Sequence, residues 1–359
     1  MPYCSVRTWV IDRRYACRSP LAGVDWGAEV GDHGWVQREI DFNRDRRFRC
    51  GRCNHVWTVD LAWLERWRAA KEACLSCGIT CEAENSGGVT TFDDDPALDD
   101  DQAKHLAWYH TTVRPNWPAR IDFAATLEDR TREMMGGDDV VVRWADRQSM
   151  KALHLGTYEA AIHNMLRRIV DHHDRDEQFF LYRVYLRPEV VLAPGWTIDP
   201  SNFVGDIYLD ESFPPGAEAG RYVNYHEDPG GLSLAIQPSA VATTQRIAIP
   251  LTQSPEEPWI VDSVCRLSHC APDRLLPNTY EHLAGVFEPS ERQATAMRAR
   301  TALVERLPIN LQYQFEAATS WVAGGDPAEW AVYTFGLARL VWDPAAVLAE
   351  LDSQVRHQH

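Results

Sequence analysis

The hydrophobic pattern is clearest in the middle of the chain, where one helical stretch precedes several strand-like runs. After Thr157, a suitable N-cap, apolar residues recur at helical spacing as far as His173. The runs that follow are separated by Pro and Gly, and they predict strands at 179–186, 189–192, 207–209, 221–225, 232–236 and 246–251. One early helix followed by several strands is typical of the α+β class.

From residue 256 onward the pattern changes to helices. Ser290 and Gln293 have the form of a capping box, which satisfies backbone N–H groups at the start of a helix. Asp343-Pro344 places proline at a first helical position, where its missing N–H costs nothing. We therefore predict a mainly helical C-terminal region at 256–359, with helices near 291–307, over 311–322 and from residue 344 onward.

The strongest chemical signal is a pair of CxxC motifs, which consist of Cys50, Cys53, Cys74 and Cys77. Each motif turns two thiolates toward one point, and two motifs at this separation are typical of a tetrahedral zinc site. Four thiolates leave no open coordination position, so the zinc is expected to be structural. Such a metal stabilises a module that is too small to form a sufficient core of its own.

The sequence around these cysteines, CGRCNHVW…CLSC, resembles zinc-ribbon modules in which a tryptophan, here Trp57, packs beneath the metal. We assign residues 1–91 to this zinc-ribbon domain. Three more cysteines lie near the motifs and are either core residues or ligands of a second metal together with His33 or His55; they are Cys4, Cys17 and Cys81.

The net charge of −16 is unevenly distributed. Residues 1–91 hold 13 Lys and Arg against 12 Asp and Glu, so the rest of the chain carries a net charge of −17. A basic run lies beside the first CxxC motif and consists of Arg38, Arg44, Arg46, Arg47, Arg49 and Arg52. This run is either a phosphate-contacting surface for nucleic acid or a solvated surface balanced by nearby carboxylates.

Six aspartates surround Pro96 within residues 93–101. Their repulsion and the proline predict an acidic linker at 92–103 rather than a folded element. The chain has no run of about 18 uninterrupted apolar residues, and residues 1–18 lack the apolar core of a secretory signal. We therefore expect a cytoplasmic protein without a membrane span, whose nine cysteines are mostly reduced.

Three separated segments carry further candidate residues: YHTT at 109–112, HLGTYEAA at 154–161, and YVNYHEDPGGLSLAI at 222–236. In this order they resemble the mono-ADP-ribosyltransferases, in particular phage- and toxin-associated members with YHxT, HxGT and YxNxxEDxGxxS segments. The resemblance covers about residues 104–252 and implies a split β-sheet domain at 104–255 that binds NAD between its halves. It also implies phage or bacterial-conflict biology and a protein or nucleic-acid acceptor of ADP-ribose.

The resemblance also implies roles for individual residues. His110 and Thr112 would bind the adenosine ribose, and His154, Thr157 and Tyr158 would shape the nicotinamide pocket. Glu227 would hold a ribose hydroxyl and stabilise the oxocarbenium-like centre, which makes Glu227, His110 and His154 the candidate catalytic residues. The remaining candidate NAD-binding residues are Asn224 and Ser233, and in the register of the family Ser233 rather than Glu227 could occupy the position of the acid.

Two other functions remain open. The main alternative is a non-catalytic zinc-ribbon interaction or nucleic-acid-binding protein with a degenerate transferase fold, which replacement of the acid by Ser233 would fit. The other is a metal-dependent hydrolase that uses His110, His154, Glu227 and Asp228, although no pair of these has the helical ligand spacing of an HExxH motif. If the zinc ribbon and the domain at 104–255 are independent modules, zinc removal should leave any NAD chemistry partly intact.

Overall fold

The structure is a computed structural model that describes residues 35–172, 174–202, 205–273 and 289–359. Its strands are β1 (Arg46–Arg49), β2 (Val56–Val59), β3 (Gly88–Thr90), β4 (Trp108–Thr112), β5 (Leu153–Leu155), β6 (Phe179–Leu186), β7 (Thr197–Ile198), β8 (Ala219–Val223), β9 (Leu232–Ile236), β10 (Val241–Ile249) and β11 (His357–Gln358). Its helices are α1 (Leu61–Arg68), α2 (Asp100–His105), α3 (Asp129–Met134), α4 (Asp138–Ser149), α5 (Tyr158–Asp171), α6 (Leu209–Ser212), α7 (Pro258–His269), α8 (Glu291–Val304), α9 (Ile309–Ala318), α10 (Pro327–Trp342) and α11 (Pro344–Asp352).

The strands form three sheets, so the predicted α+β class is confirmed. A three-stranded sheet has the order β2-β1-β3, and two four-stranded sheets have the orders β11-β10-β6-β4 and β5-β9-β8-β7. Within the described ranges, no helix is long and apolar enough to cross a bilayer.

The small sheet and α1 enclose an aromatic core around Phe48, which is fully buried on β1. The Phe48 ring lies 4.9–5.2 Å from the rings of Trp57, Trp63 and Trp67. The α1 helix begins where the Asp60 carboxylate accepts a hydrogen bond from the Trp63 amide. This module is small, and its core consists mainly of aromatic rings.

The acidic stretch at 92–103 is folded, which corrects its interpretation as a linker. Pro96–Leu98 forms a short 3-10 helix capped by Asp95, and Asp99 caps α2. Carboxylates at these positions accept hydrogen bonds from backbone N–H groups and lie at the positive ends of the helices. Both effects offset the repulsion between the aspartates. The buried Arg221 guanidinium binds the Ala97 carbonyl and pairs with Asp100, which fixes the stretch against β8.

The two four-stranded sheets meet at β4 and β5. The Tyr109 and Gly156 backbones exchange two hydrogen bonds of 2.9 and 3.0 Å, which form an isolated bridge between the sheets. The α5 helix starts directly after this bridge and packs on β4, where the Thr111 hydroxyl donates to the Ala161 carbonyl. The YHTT and HLGT segments therefore lie side by side.

Most of the predicted elements are present. The strands at 179–186 and 232–236, the helix after Thr157 and the Ser290–Gln293 capping box are confirmed. The runs at 189–192 and 207–209 are not regular strands; the second leads into α6. Val190 and Ile207 are buried all the same, so their apolar character reflects packing rather than strand pairing.

The C-terminal region is mainly helical as predicted, but it shares a core with the preceding sheet. One apolar cluster joins residues of α5, such as Ile162, to Phe315 of α9 and Leu337 of α10. The final strand, β11, pairs with the edge of β10. The prediction placed a domain boundary at residue 256, and packing is continuous across it.

Candidate functional site

The four cysteines of the two CxxC motifs form a compact cluster at the end of the small sheet. Their Sγ atoms lie within 4.8 Å of one another, with 3.6 Å from Cys50 to Cys77 and 3.7 Å from Cys53 to Cys74. Zn–S bonds of about 2.3 Å place the sulfurs of a tetrahedral site roughly 3.8 Å apart. The cluster therefore matches the geometry of a four-thiolate zinc site.

The two turns that present these thiolates have the same backbone hydrogen bonds. The Cys50 amide donates to the His55 carbonyl at 2.9 Å, and the Cys74 amide donates to the Ile79 carbonyl at 2.8 Å. The residue after each second cysteine is left-handed, with φ of 59° at Asn54 and 71° at Gly78. Asn and Gly tolerate this conformation best, so the sequence suits both turns.

The cluster contains only the four predicted ligands. A hydrogen bond from the His55 backbone lowers the pKa of the Cys53 thiol to about 6. At Cys77 a backbone hydrogen bond from Ile79 also lowers the pKa, but burial and the neighbouring thiols outweigh it and raise the pKa to about 12. Cys81 lies apart, with its thiol directed to the Arg68 carbonyl. Cys4, Cys17 and His33 lie outside the described residues.

Among the residues that the structure describes, this cysteine cluster is the one group of three or more His, Cys, Asp and Glu side chains that could hold a metal. The hydrolase set of His110, His154, Glu227 and Asp228 does not come together as such a group. A catalytic metal at those residues therefore has no support from the geometry.

His110 is a neutral, partly buried histidine on β4. Its ring stacks on Trp117 with centroids 4.5 Å apart, and its Nδ1 lies 2.9 Å from the His154 carbonyl oxygen. A carbonyl only accepts, so Nδ1 carries the proton and Nε2 is left as an acceptor. Burial lowers the pKa of His110 to about 3, so the ring stays neutral at physiological pH.

This histidine predicts a pH dependence of stability. In the unfolded chain, His110 has a pKa of about 6.5. The contribution of neutral His110 to the free energy of unfolding is therefore complete above that pH and is lost as the pH falls toward 3. We expect the free energy of unfolding in urea to decrease from about pH 7.5 to about pH 5.5. His110→Asn keeps a donor for the His154 carbonyl and should make this decrease shallower, whereas the exposed-site control His172→Asn should not.

The HLGT turn brings His154 and Thr157 to the same end of the second sheet. The His154 Nδ1 lies 2.9 Å from the Tyr222 hydroxyl on β8. Burial lowers the pKa of His154, and the carboxylates Asp199 and Glu227 oppose that shift. Thr157 caps α5, because its Oγ1 accepts a hydrogen bond of 3.0 Å from the Ala160 amide.

Gly156 allows the close approach on which this turn depends. A Cβ atom at Gly156 would lie 2.8 Å from the Ala160 Cβ and 3.4 Å from the Ser233 hydroxyl. Thr112, further along β4, is buried, and its Oγ1 accepts a hydrogen bond of 3.3 Å from the Arg114 amide.

Tyr158 is a core residue, which corrects its assignment to a ligand pocket. Its side chain is 1% exposed, and its hydroxyl donates to the Leu340 carbonyl on α10 at 2.8 Å. Its ring packs edge-on against Phe42 and Tyr109. The hydroxyl and both flanking ring contacts are therefore occupied by the protein itself.

Asn224 and Ser233 organise the third segment from within. The Asn224 Oδ1 accepts hydrogen bonds of 2.8–3.2 Å from the backbone amides of His226, Glu227 and Asp228, which shape the turn between β8 and β9. Its Nδ2 lies 3.4 Å from the Ser233 hydroxyl, which is buried on β9. The Asn224 side chain is therefore engaged in folding the turn, while the Ser233 hydroxyl lies beside Gly156.

Glu227 faces α5 rather than contacting His110 or His154 directly. Its carboxylate pairs with Arg167 at 2.6 Å, and its carbonyl binds the His163 ring at 2.8 Å. Burial raises the pKa of Glu227, but Arg167 and neighbouring imidazoles outweigh burial and hold it below its usual value. Glu227 is therefore ionised at neutral pH, and its negative charge opposes the lowering of the His154 pKa.

Asp228 connects the basic run to the start of α5, a role that the sequence does not predict. Its side chain is 1% exposed and accepts hydrogen bonds from Thr157 Oγ1 and Arg44 at 2.8 Å each and from Arg46 at 3.3 Å. These partners lie 182–184 residues away for the arginines and 71 for the threonine. No local pattern points to such contacts.

The basic run does not form one exposed surface. Arg44 and Arg46 pair with Asp228, and the Arg38 guanidinium lies 4.3 Å from the centroid of the Trp108 ring. Of the run, Arg49 and Arg52 are exposed, and the partly exposed Arg47 pairs with Asp93. The predicted nucleic-acid contact therefore depends mainly on Arg49 and Arg52.

Comparisons of the chain with protein-family models, curated proteins and solved structures give no match. The fold and the cysteine site define a mixed α+β protein with a four-cysteine module that could hold a metal ion. This module contacts the turn between β8 and β9 through Arg44, Arg46 and Arg68.

Proposed function

We propose that this chain is a mono-ADP-ribosyltransferase that takes ADP-ribose from NAD, with a zinc ribbon that assists in targeting. The observation that carries the proposal is the meeting of three distant segments around the Tyr109–Gly156 bridge. His110 lies on one sheet and His154 on the other, Ser233 lies beside Gly156, and Asp228 of the β8–β9 turn binds Thr157. Two sheets that meet through their edge strands, β4 and β5, are compatible with a split-sheet domain.

The chemistry of NAD transfer suits the groups present. The bond between nicotinamide nitrogen and ribose C1′ breaks, nicotinamide leaves with the bonding electron pair, and the acceptor attacks C1′ and loses a proton. The oxocarbenium-like centre that develops is stabilised by a nearby fixed negative charge. Glu227, buried and ionised, is the carboxylate proposed for that role.

The histidines are proposed to hold the ribose and nicotinamide groups. His110 offers an unprotonated Nε2, which accepts a hydrogen bond from a ribose hydroxyl. His154 with Tyr222 forms a polar, partly aromatic wall on the other sheet, and the two rings are 6.0 Å apart. Because both imidazoles are held neutral by burial, they do not repel the developing cation.

The acceptor is proposed to be a macromolecule, either a protein or a nucleic acid, that the ribbon brings to the site. One exposed arginine of the ribbon reaches the turn that carries Glu227, since Arg68 of α1 binds the Tyr225 carbonyl at 2.8 Å.

The proposal is tested by incubating the purified protein with NAD labelled in the nicotinamide ring and in the adenine. Wild type should release nicotinamide, and His110→Ala should reduce the release at least tenfold because a ribose contact is lost. His172→Ala on the exposed end of α5 is the control and should behave as wild type. Absence of both NAD binding and release in wild type would overturn the proposal.

A non-catalytic interaction protein is the second candidate, and the pairing of Glu227 with Arg167 favours it. That ion pair occupies the one carboxylate proposed to face the cation, and Ser233 lies on the central strand beside Gly156. Under this alternative NAD or ADP-ribose would bind without nicotinamide release, and calorimetry beside the release assay separates the two.

A further inference from the structure

Asp228 joins three parts of the molecule through one buried carboxylate. Arg44 and Arg46 approach it from the zinc ribbon, and the Thr157 hydroxyl approaches it from the HLGT turn. The carboxylate is 1% exposed, so these contacts replace water almost completely. A buried carboxylate tolerates this only while its partners stay in place.

The arginines are held in place by the ribbon itself. Arg46 is the first residue of β1, and Cys50 follows that strand directly. Strand β1 pairs with β2 on one side and with β3 on the other. Because a module of this size depends on its metal for folding, the positions of Arg44 and Arg46 depend on the cysteine site.

The Asp228 turn fits closely against the ribbon. A Cβ atom at Gly231 would lie 2.3 Å from the Asp228 carboxylate, and one at Gly230 would lie 3.1 Å from the carbonyl of Thr90 in β3. On the other side of the turn, the Tyr225 ring lies against Gly88 of β3. The turn therefore accommodates little displacement of the ribbon.

Thr157 connects Asp228 to the HLGT turn, which also contains the candidate ligand-binding residue His154. The Thr157 Oγ1 accepts a hydrogen bond of 3.0 Å from the Ala160 amide and donates a hydrogen bond of 2.8 Å to the Asp228 carboxylate. Without Asp228 the hydroxyl is free to rotate, and the cap of α5 loses its fixed orientation. His154 and Gly156 lie in the same segment, one residue on either side of Leu155.

We infer that Asp228 is a positioning residue through which the zinc ribbon holds the HLGT turn, so that metal binding and ligand binding beside this turn are coupled. The second half of this inference rests on the proposed function, and the first half does not. Coupling of this kind is reciprocal: zinc favours the ordered turn, and a ligand of the ordered turn favours retention of zinc. This replaces the expectation that the two modules act independently.

The test compares Asp228→Asn with Asp93→Asn. Asp93 also pairs with an arginine of β1, Arg47, but its side chain is 88% exposed and lies away from Thr157. Hydrogen exchange of the amides at 156–160 is measured with zinc bound and after chelation. In wild type and Asp93→Asn, chelation should speed exchange there about tenfold, and in Asp228→Asn exchange should already be fast with zinc bound.

A milder variant guards against a general loss of folding. Arg44 is 31% exposed, so Arg44→Gln weakens the same contact with less disturbance and should give an intermediate exchange rate. Exchange in β6, within the other sheet, serves as the internal reference and should not respond to either variant. Unchanged exchange at 156–160 after chelation of wild type would overturn the inference.

A second arm measures zinc release to a chromogenic chelator with and without ADP-ribose. ADP-ribose should slow the release in wild type and in Asp93→Asn by several-fold, and it should have a smaller effect in Asp228→Asn. Failure of ADP-ribose to bind any variant contradicts the proposed function and leaves the exchange arm to decide the positioning role. Binding of ADP-ribose with equal zinc release in all variants contradicts the coupling alone.

Discussion

Replacing Cys74 with serine is expected to remove the zinc and unfold the ribbon. Cys74 is 3% exposed, and its thiolate is one of the four proposed ligands. Structural zinc contributes about 10–16 kcal/mol of apparent binding free energy in small modules near neutral pH, and a serine hydroxyl is a poor substitute for thiolate.

The measurement is zinc content by atomic absorption together with tryptophan fluorescence. The wild-type protein should hold about one zinc per chain from this site, and Cys74→Ser close to none, with a red-shifted emission as the clustered tryptophans become exposed. Cys81→Ser is the matched control, because its thiol lies outside the cluster. Full zinc retention in Cys74→Ser would contradict the ligand assignment.

Replacing Glu227 with glutamine is expected to lower nicotinamide release by about 100- to 1,000-fold with little change in KM. The change is isosteric and removes a buried negative charge that the proposed mechanism uses only as positive charge develops on the ribose. Arg167 loses an ion-pair partner but remains 40% exposed, so solvent can still reach it.

The matched control for this variant is Asp171→Asn. Asp171 pairs with the same Arg167, at 3.6 Å, but lies at the exposed end of α5. It should retain wild-type release. If Glu227→Gln also retains wild-type release, the assignment of Glu227 as the catalytic carboxylate is wrong.

The cysteine site could be predicted because its information is local. Two CxxC motifs, each followed by a residue suited to left-handed backbone, fix both turns without reference to the rest of the chain. The helix after Thr157 and the strands at 179–186 and 232–236 were predictable for a similar reason, since apolar spacing and Gly or Pro boundaries mark them.

Long-range contacts account for the main errors. The charge and the proline of the acidic stretch predict a linker, although Asp95 and Asp99 are good N-caps and Arg221, more than 100 residues away, compensates the charge. The Asp228 contacts lie equally far outside any local window.

Tyr158 illustrates a signal that was present but outweighed by the resemblance. It lies four residues before Ile162 and seven before Met165, on the face of α5 that packs into the core. Helical periodicity alone therefore assigns it to the core.

The buried Asp228 also sets a rule for dividing or recombining this chain. A fragment that begins at residue 92 keeps the β8–β9 turn but lacks Arg44 and Arg46, so it contains a carboxylate without two of its three side-chain partners. A chimera that exchanges the ribbon for another must supply matching arginines or replace Asp228. The useful unit for expression and for grafting is therefore the ribbon together with the domain that follows it.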